Sequence, residues 1–89
     1  MKPAMHLKLR YFAWVRERVG RPEEQVEVPE TVATIGALID WLIARGPEYA
    51  HAFERAAVIR AAIDQTHAKH TAGLAGAREV AFFPPVTGG

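Results

Sequence analysis

The stretch that decides the fold is TIGALIDWLIARGP, residues 34–47. Its apolar side chains recur at spacings of three and four, which is the stripe of an amphipathic helix. Thr34 is a favourable N-cap, and Gly46 followed by Pro47 predicts that the helix ends with Gly46 just beyond its last turn. One apolar stripe needs an apolar surface to cover it, so the flanking segments must supply a sheet. The stripe consists of Ile35, Leu38, Ile39, Leu42 and Ile43.

The segment before this helix has the pattern of two strands with a short helical connection. Met5–Phe12 alternates strictly between its two faces, and Glu24–Val28 alternates over a shorter span. Between them, Ala13–Val19 has helical spacing, and Gly20 and Pro22 predict its end. We therefore expect an antiparallel pair of strands ahead of the main helix.

The segment after the helix predicts two further strands. Pro47–Arg55 is a candidate short helix, Ala57–Ile63 a third strand, and Asp64–Gly76 a loop with little periodicity. Glu79–Phe83 alternates as the last strand, and the two prolines at 84 and 85 end it, because proline cannot donate to a β-ladder.

The order strand, strand, helix, strand, strand is that of the β-grasp, the fold of ubiquitin. It predicts an α+β domain over residues 1–83, with one main helix packed on one face of a mixed sheet. In this arrangement the first and last strands are central, parallel neighbours. Residues 84–89 would form a flexible C-terminal tail that ends in Gly-Gly.

Composition excludes several classes of function. The chain has 89 residues and no cysteine, which rules out a disulfide framework, a thiolate metal site and a cysteine nucleophile. It also has no serine, and its histidines show no spacing that completes a metal site. Eleven basic and ten acidic residues argue against a nucleic-acid binder. With no apolar run of membrane or signal-peptide length, we expect a cytoplasmic protein without an independent active site.

The last eight residues, FFPPVTGG, point to chemistry at the C-terminus. Pro84 and Pro85 favour a stiff polyproline II spacer, and the six residues from Pro84 could reach roughly 20 Å. Gly88 and Gly89 have no side chain, so they could pass through a channel that any Cβ would block. A Gly-Gly end alone is also typical of inert termini. Together with a ubiquitin-like domain, the stiff Pro84-Pro85 spacer favours a function for the C-terminal carboxylate.

Strand alternation predicts a partner surface on the face of the sheet away from the helix. If Leu9 and Phe82 face the helix, Phe12 and Phe83 face outward and meet where the two central strands end. An exposed aromatic pair suggests an interface, with Arg10 and Arg16 as candidate rim charges. The alternatives are that the short helix covers the aromatics and that the arginines are simply solvated.

The chain resembles the small, sulfur-carrier subunits of molybdopterin synthase from Leu7 to Gly89. The strongest matches are LRYFAWVRERVG at 9–20, AAIDQ at 61–65 and EVAFFPPVTGG at 79–89, of which FFPPV-x-GG is the specific part. Three sites depart from the family. Asp64 replaces a usual Asn, His67 replaces a usually apolar residue, and Ala77-Arg78 replaces a frequent Gly-Asp turn, so that this turn should be built differently.

The resemblance implies a mechanism in which Gly89 carries sulfur as a thiocarboxylate and Gly88 gives it access. A ubiquitin-activating-like adenylyltransferase would use ATP to adenylate the carboxylate, while the chain itself binds no cofactor. The large catalytic subunit would take up the tail, and the sulfur would pass to a pyranopterin precursor to form the dithiolene of the molybdenum cofactor. Together with the surface predicted from strand alternation, this gives the following candidate partner-binding residues: Phe12, Phe83, Pro84, Pro85, Val86, Thr87, Arg10, Arg16 and His67.

Three other functions share this fold. The chain could carry sulfur for another pathway such as thiamine synthesis, although such a carrier should lack the FFPPV root. It could be a β-grasp interaction module with an inert tail, which would tolerate a residue added after Gly89. It could also be conjugated to lysines as ubiquitin is, which predicts adducts of higher mass.

Overall fold

The computed structural model describes residues 4–85, which form a five-stranded mixed sheet and three α-helices that share one core. The sheet order is β2-β1-β5-β3-β4, with β1 and β5 parallel at the centre and every other neighbouring pair antiparallel. This confirms the predicted α+β class and the central parallel pair. The elements are β1 (Ala4–Tyr11), α1 (Ala13–Val19), β2 (Glu23–Pro29), α2 (Ile35–Ile43), α3 (Pro47–Ala52), a 3₁₀ turn (Ala56–Val58), β3 (Arg60–Ile63), β4 (Thr66–Ala68) and β5 (Glu79–Phe83).

The core lies between the helices and one face of the sheet. In the central pair, Leu9 is opposite Val80 and Tyr11 is opposite Phe82, and all four side chains are buried. The rings of Phe53, which follows α3, and Phe82 form a T-shaped pair with centroids 5.1 Å apart. The predicted alternation is confirmed, because the helix-facing strand residues are buried in one core with the apolar stripe of α2. The core residues of these elements include Leu7, Val26, Val28, Ile35, Leu38, Ile39 and Leu42.

The main helix begins as predicted and ends earlier. The Oγ1 of Thr34 accepts a hydrogen bond from the backbone N–H of Ala37 at 3.1 Å, which confirms the N-cap. The C-cap is Ala44, so the expectation that Gly46 follows the last turn of α2 is wrong. Gly46 is instead the N-cap of α3, and Pro47 is its first residue. The Gly-Pro pair starts the next helix, because the first helical position needs no N–H donor.

β3 is shorter than the strand predicted at Ala57–Ile63. The structure also contains β4, which lies in the segment Asp64–Gly76 that the sequence predicts to be a loop. The 3₁₀ turn occupies part of the span assigned to the strand, so β3 begins at Arg60. Asp64 and Gln65 then form a two-residue turn into β4, with φ angles of 47° and 71°. Left-handed turns of this kind usually contain glycine or asparagine. This turn contains neither residue, so the sequence pattern does not predict the hairpin.

The side chain of Asp64 explains how its turn is held. Its Oδ1 accepts hydrogen bonds from the backbone N–H groups of Arg78 at 3.0 Å and Glu79 at 2.9 Å. An acceptor alone suffices here, so aspartate can stand where the family usually has asparagine. The turn before β5 is built from Leu74 to Ala77, whose N–H donates to the Leu74 carbonyl, with Gly76 at φ 81°.

Candidate functional site

In the part of the chain that the structure describes, one face of the sheet carries no helix, and we call it the open face. The strand register defines its side chains, because alternate residues point to opposite faces and neighbours across the ladder share a face. The central strands β1 and β5 contribute Arg10 and Phe83, respectively, near the end of β5 that precedes the tail. The residues of the open face are His6, Lys8, Arg10, Glu23, Gln25, Glu27, Arg60, Ala62, His67, Glu79, Ala81 and Phe83.

A shallow floor of small side chains lies at the centre of the open face. Ala81 is opposite Ala62 in the β5–β3 ladder, and both are more than nine-tenths buried although no helix covers them. Arg10 is the neighbour of Ala81 on one side, and His67 is the neighbour of Ala62 on the other. The longer side chains on either side therefore cover most of the surface of the two alanines.

Phe12 stands at the rim of this floor with its backbone fixed on both sides. Its N–H donates to the carbonyl of Phe82 at 3.1 Å, and its own carbonyl accepts from Val15 and Arg16 at the start of α1. Phe12 as a residue is 38% exposed, the highest exposure of a large hydrophobic residue within residues 4–85. The guanidinium of Arg10 lies 5.3 Å from its centroid. The exposed ring is therefore positioned by the sheet and α1, as an interface anchor requires.

Phe83 lies beside this position on the central partner strand. Because Tyr11 is opposite Phe82, the next residues along the two parallel strands, Phe12 and Phe83, are also neighbours. Phe83 is half-buried, and the ring of His67 meets it edge to face at a centroid distance of 5.4 Å. Its opposite residue on β3 is Arg60. Phe12 and Phe83, which we call the aromatic rim, are thus bordered by cationic or protonatable groups.

The other predicted site residues divide into two groups. Pro84 and Pro85 are half-buried and follow Phe83 at the end of β5, while Arg16 is exposed on α1, near the same end of the sheet. Val86, Thr87, Gly88 and Gly89 lie outside the described residues. The structure therefore brings Arg10, Phe12, His67, Phe83 and the two prolines to one region of the protein.

An open groove of about 680 Å³ adjoins this region at the β3–β4 side. Pro85 lines it, together with residues that precede β3 and follow β4. Sequence reasoning missed its basic members Arg60 and Lys69 as site residues. Alternation within the predicted strand already puts Arg60 on the same face as Ala62, whereas nothing in the local pattern marks Lys69. The lining residues are Ala57, Val58, Ile59, Arg60, Ala61, His67, Ala68, Lys69, His70 and Pro85.

A second polar cluster, missed in the sequence, surrounds Glu24 on β2. Its Oε2 accepts hydrogen bonds from the hydroxyls of Tyr49 at 2.6 Å and Tyr11 at 2.8 Å. Its Oε1 lies 3.3 Å from a guanidinium nitrogen of Arg45 and 3.4 Å from one of Arg21. Only 8% of the Glu24 side chain is exposed. The cluster therefore joins β1 and β2 to α3.

The partners of Glu24 determine its protonation. Burial by itself raises the pKa of Glu24, but the hydrogen bonds from Tyr49 and Tyr11, with the charges of Arg45 and Arg21, outweigh it and hold the pKa below the usual 4.5. Burial and the hydrogen bond to Glu24 raise the pKa of Tyr11, and the same causes raise that of Tyr49. The carboxylate is thus ionised and both tyrosines are neutral near pH 7.

Comparison with known proteins extends these observations to nearly the whole chain. Residues 9–89 match the ThiS family. The chain belongs to the ThiS family. Within residues 4–85 of this ThiS-family chain, none of the helices has the length and apolarity needed to cross a membrane.

Individual relatives are similar over almost their full length. The molybdopterin synthase sulfur carrier subunit of Escherichia coli is 40% identical over 83 residues, which is 93% of this chain and 99% of the relative. The protein of the same name from Haemophilus influenzae is 34% identical over the same shares. The crystal structure of SAMP1 from Haloferax volcanii superposes with a TM-score of 0.71 at 26% identity, covering 96% of this chain and all of that one. The predicted β-grasp fold and the predicted resemblance are both confirmed.

Proposed function

We propose that this protein is the sulfur carrier subunit of a molybdopterin synthase. The single observation that carries the proposal is the full-length similarity to two subunits of that name, within a family match that runs to residue 89. The fold fits this role, because β5 is a central strand and directs the chain out of the sheet beside the aromatic rim. The work of the domain is then to present residues 84–89 to enzymes, in the cytoplasm, rather than to enclose a substrate.

The proposed first half-reaction activates the C-terminus. A carboxylate is a poor electrophile, so on the activating enzyme the Gly89 carboxylate attacks the α-phosphate of ATP and displaces pyrophosphate. The terminal sulfur of a protein persulfide attacks the resulting acyl-adenylate, and AMP leaves. A thiol then cleaves the sulfur–sulfur bond, which releases the thiocarboxylate on Gly89 and leaves a disulfide.

The proposed second half-reaction transfers the sulfur on the large subunit. The thiocarboxylate sulfur attacks a carbon of the pyranopterin precursor, and an oxygen substituent of the precursor leaves. Water then hydrolyses the acyl–sulfur bond, so that sulfur stays on the precursor and Gly89 regains its carboxylate. Two such cycles supply the two sulfur atoms of the dithiolene. Gly88 contributes by its lack of a side chain, which lets the tail enter a narrow channel.

The proposed contact with the large subunit is the open face around Phe12 and Phe83. Both rings border the floor made by Ala62 and Ala81, and Arg10 provides a charge at the rim. Anchoring aromatics surrounded by polar groups are typical of protein–protein hot spots. Docking there would bring residues 84–89 to the partner, since Phe83 immediately precedes them.

Mass spectrometry of the intact protein tests the carrier chemistry. The protein is incubated with ATP, the activating enzyme and a persulfide donor with a thiol. We expect a mass gain equal to the replacement of one oxygen by sulfur, located in the C-terminal peptide. Two matched controls, deletion of Gly89 and addition of one alanine after it, should show no gain. A wild-type protein left unchanged by a demonstrably active enzyme would refute the proposal.

Calorimetry with the large subunit tests the docking face. Phe83→Asp places a carboxylate in the proposed contact and should weaken binding about 100-fold. The matched control is Gln25→Asp, which puts the same group on the same face at the exposed β2 edge and should bind as the wild type does. Equal affinities for Phe83→Asp and the wild type would remove Phe83 from the interface.

A second candidate function is covalent attachment to other proteins. The observation in its favour is the structural similarity to SAMP1, named a small archaeal modifier protein. This function predicts adducts of higher mass, joined through Gly89 to lysine side chains, in extracts of the native host. Such adducts should disappear when Gly89 is deleted. Their absence while the thiocarboxylate is present would leave sulfur transfer as the function.

A further inference from the structure

The groove beside Pro85 is basic. Four of its ten lining residues carry a cationic or protonatable side chain, and within the described part of the chain no carboxylate lines it. Arg60 and Lys69 are exposed, so their charged groups can meet a ligand without first breaking a core contact, and the side chain of His67 is exposed beside them. A concave surface with one sign of charge attracts a partner of the opposite sign.

The walls of the groove are held in place before any ligand arrives. Nε2 of His70 lies 2.8 Å from the carbonyl oxygen of Ile59, which ties the segment after β4 to the segment before β3. The carbonyl of His70 in turn accepts a hydrogen bond from the N–H of Gly36 in α2 at 2.9 Å. The backbone of both walls is therefore held before binding, so that binding would order mainly the exposed side chains of the groove.

The lining favours a polypeptide over a free anion. Six of the ten lining residues are alanine, valine, isoleucine or proline, so apolar surface lies between the cations. A small anion needs several donors that converge on one point. A peptide that carries carboxylates among apolar side chains would satisfy both kinds of lining.

We propose that this groove binds an acidic segment of the large subunit that accepts the tail. The proposal rests on the proposed function, and it adds that the partner surface at the groove is negatively charged. The position of the groove identifies the occupant: Pro85 lines it, and Arg60 and His67 belong both to it and to the open face. A protein that engages Phe83 and takes up the residues beyond Pro85 must therefore lie against the groove.

Zero-length crosslinking tests the contact directly. The chain has three lysines, at positions 2, 8 and 69. A carbodiimide condenses a lysine amine with a carboxylate only where the two touch. We expect an amide between Lys69 and an aspartate or glutamate of the large subunit. Lys8 is an internal control, because its Nζ lies 3.3 Å from Oε2 of Glu23 and should link within the chain. A complex in which Lys69 stays unlinked, or a Lys69 link to a second copy of this chain, would overturn the proposal.

Affinity measurements with charge-reversed variants give an independent readout. Lys69→Glu and Arg60→Glu should each weaken binding of the large subunit about tenfold at low salt and flatten the salt dependence of Kd. Arg78→Glu is the matched control, since it changes the net charge equally and lies before β5, at the opposite end of that strand from Pro85. It should bind within twofold of the wild type.

The outcomes separate the two proposals. If the wild type binds and the groove variants retain its Kd and its salt dependence, the groove proposal is wrong and the proposed function stands. If the wild type does not bind the large subunit at all, the proposed function itself fails.

Discussion

At the β2 side of the sheet Glu24 accepts hydrogen bonds from two tyrosine hydroxyls and lies against two guanidinium groups. At the β4 side, by contrast, Arg60 and Lys69 line an open groove to which no carboxylate among residues 4–85 contributes. In the first set, the carboxylate and the groups around it are partners of one another within the fold. The second set has the opposite character, since it is exposed and of one sign. Charges of the first kind hold a structure together, and charges of the second kind are available to a partner.

The largest expected effect comes from breaking the cluster at the β2 side. Glu24→Ala leaves two tyrosine hydroxyls and two arginines without their acceptor, and should lower the free energy of unfolding by about 3 kcal/mol. Glu23→Ala, next in the chain, removes a half-exposed ion pair with Lys8 and should cost under about 0.5 kcal/mol. Urea unfolding measures both. Equal losses for the two variants would show that the Glu24 cluster does not stabilise the fold.

Acid should weaken the same cluster in the wild-type protein. The pKa of Glu24 is lowered in the folded state below its usual 4.5, so the unfolded chain binds the proton more tightly. The stabilisation from its ionisation is therefore complete above about pH 4.5 and is lost as the pH falls through the folded-state pKa. Urea unfolding between pH 7 and pH 3 should show a steeper loss for the wild type than for Glu24→Gln. Parallel profiles would contradict this assignment.

A smaller effect is expected from the turn that builds the β4 side. Asp64→Ala removes the acceptor of two backbone N–H groups at the start of β5, and should destabilise the protein by about 1–2 kcal/mol. Asp64→Asn keeps an acceptor oxygen and should recover most of that loss. Thermal unfolding compares the two variants. A loss as large for asparagine as for alanine would mean that the charge, rather than the acceptor, stabilises the turn.

The smallest effect on stability is expected in the groove. Arg60 and Lys69 are exposed, so Arg60→Ala and Lys69→Ala should each change the free energy of unfolding by less than about 0.5 kcal/mol. The same urea experiment checks them beside Glu24→Ala. A loss above 1 kcal/mol in either variant would mean that the groove cations are part of the internal structure, and the contrast between the two edges would disappear.

The amino-acid sequence by itself determined most of the architecture. Alternation in β1 and β5 and the stripe of α2 are periodic signals strong enough to place the central strands, the main helix and the outward direction of Phe12. The proposed role of Gly89 as the sulfur carrier also rests on sequence alone, through the full-length similarity to the carrier subunits. Local signals were ambiguous where one residue pair could either end a helix or begin the next, as Gly46-Pro47 could; in the structure it begins α3.

Only the tertiary structure decided the features that depend on residues far apart in the chain. The β3–β4 hairpin is held by Asp64 through hydrogen bonds from residues 78 and 79, and no local pattern contains that contact. Glu24 meets Tyr49 because α3, which packs against α1 and α2, brings the tyrosine hydroxyl to β2. The groove exists because the segments around Ile59 and His70 are brought to Pro85. Periodicity specifies the face that a residue occupies, but its partner across that face is set by the packing of distant segments.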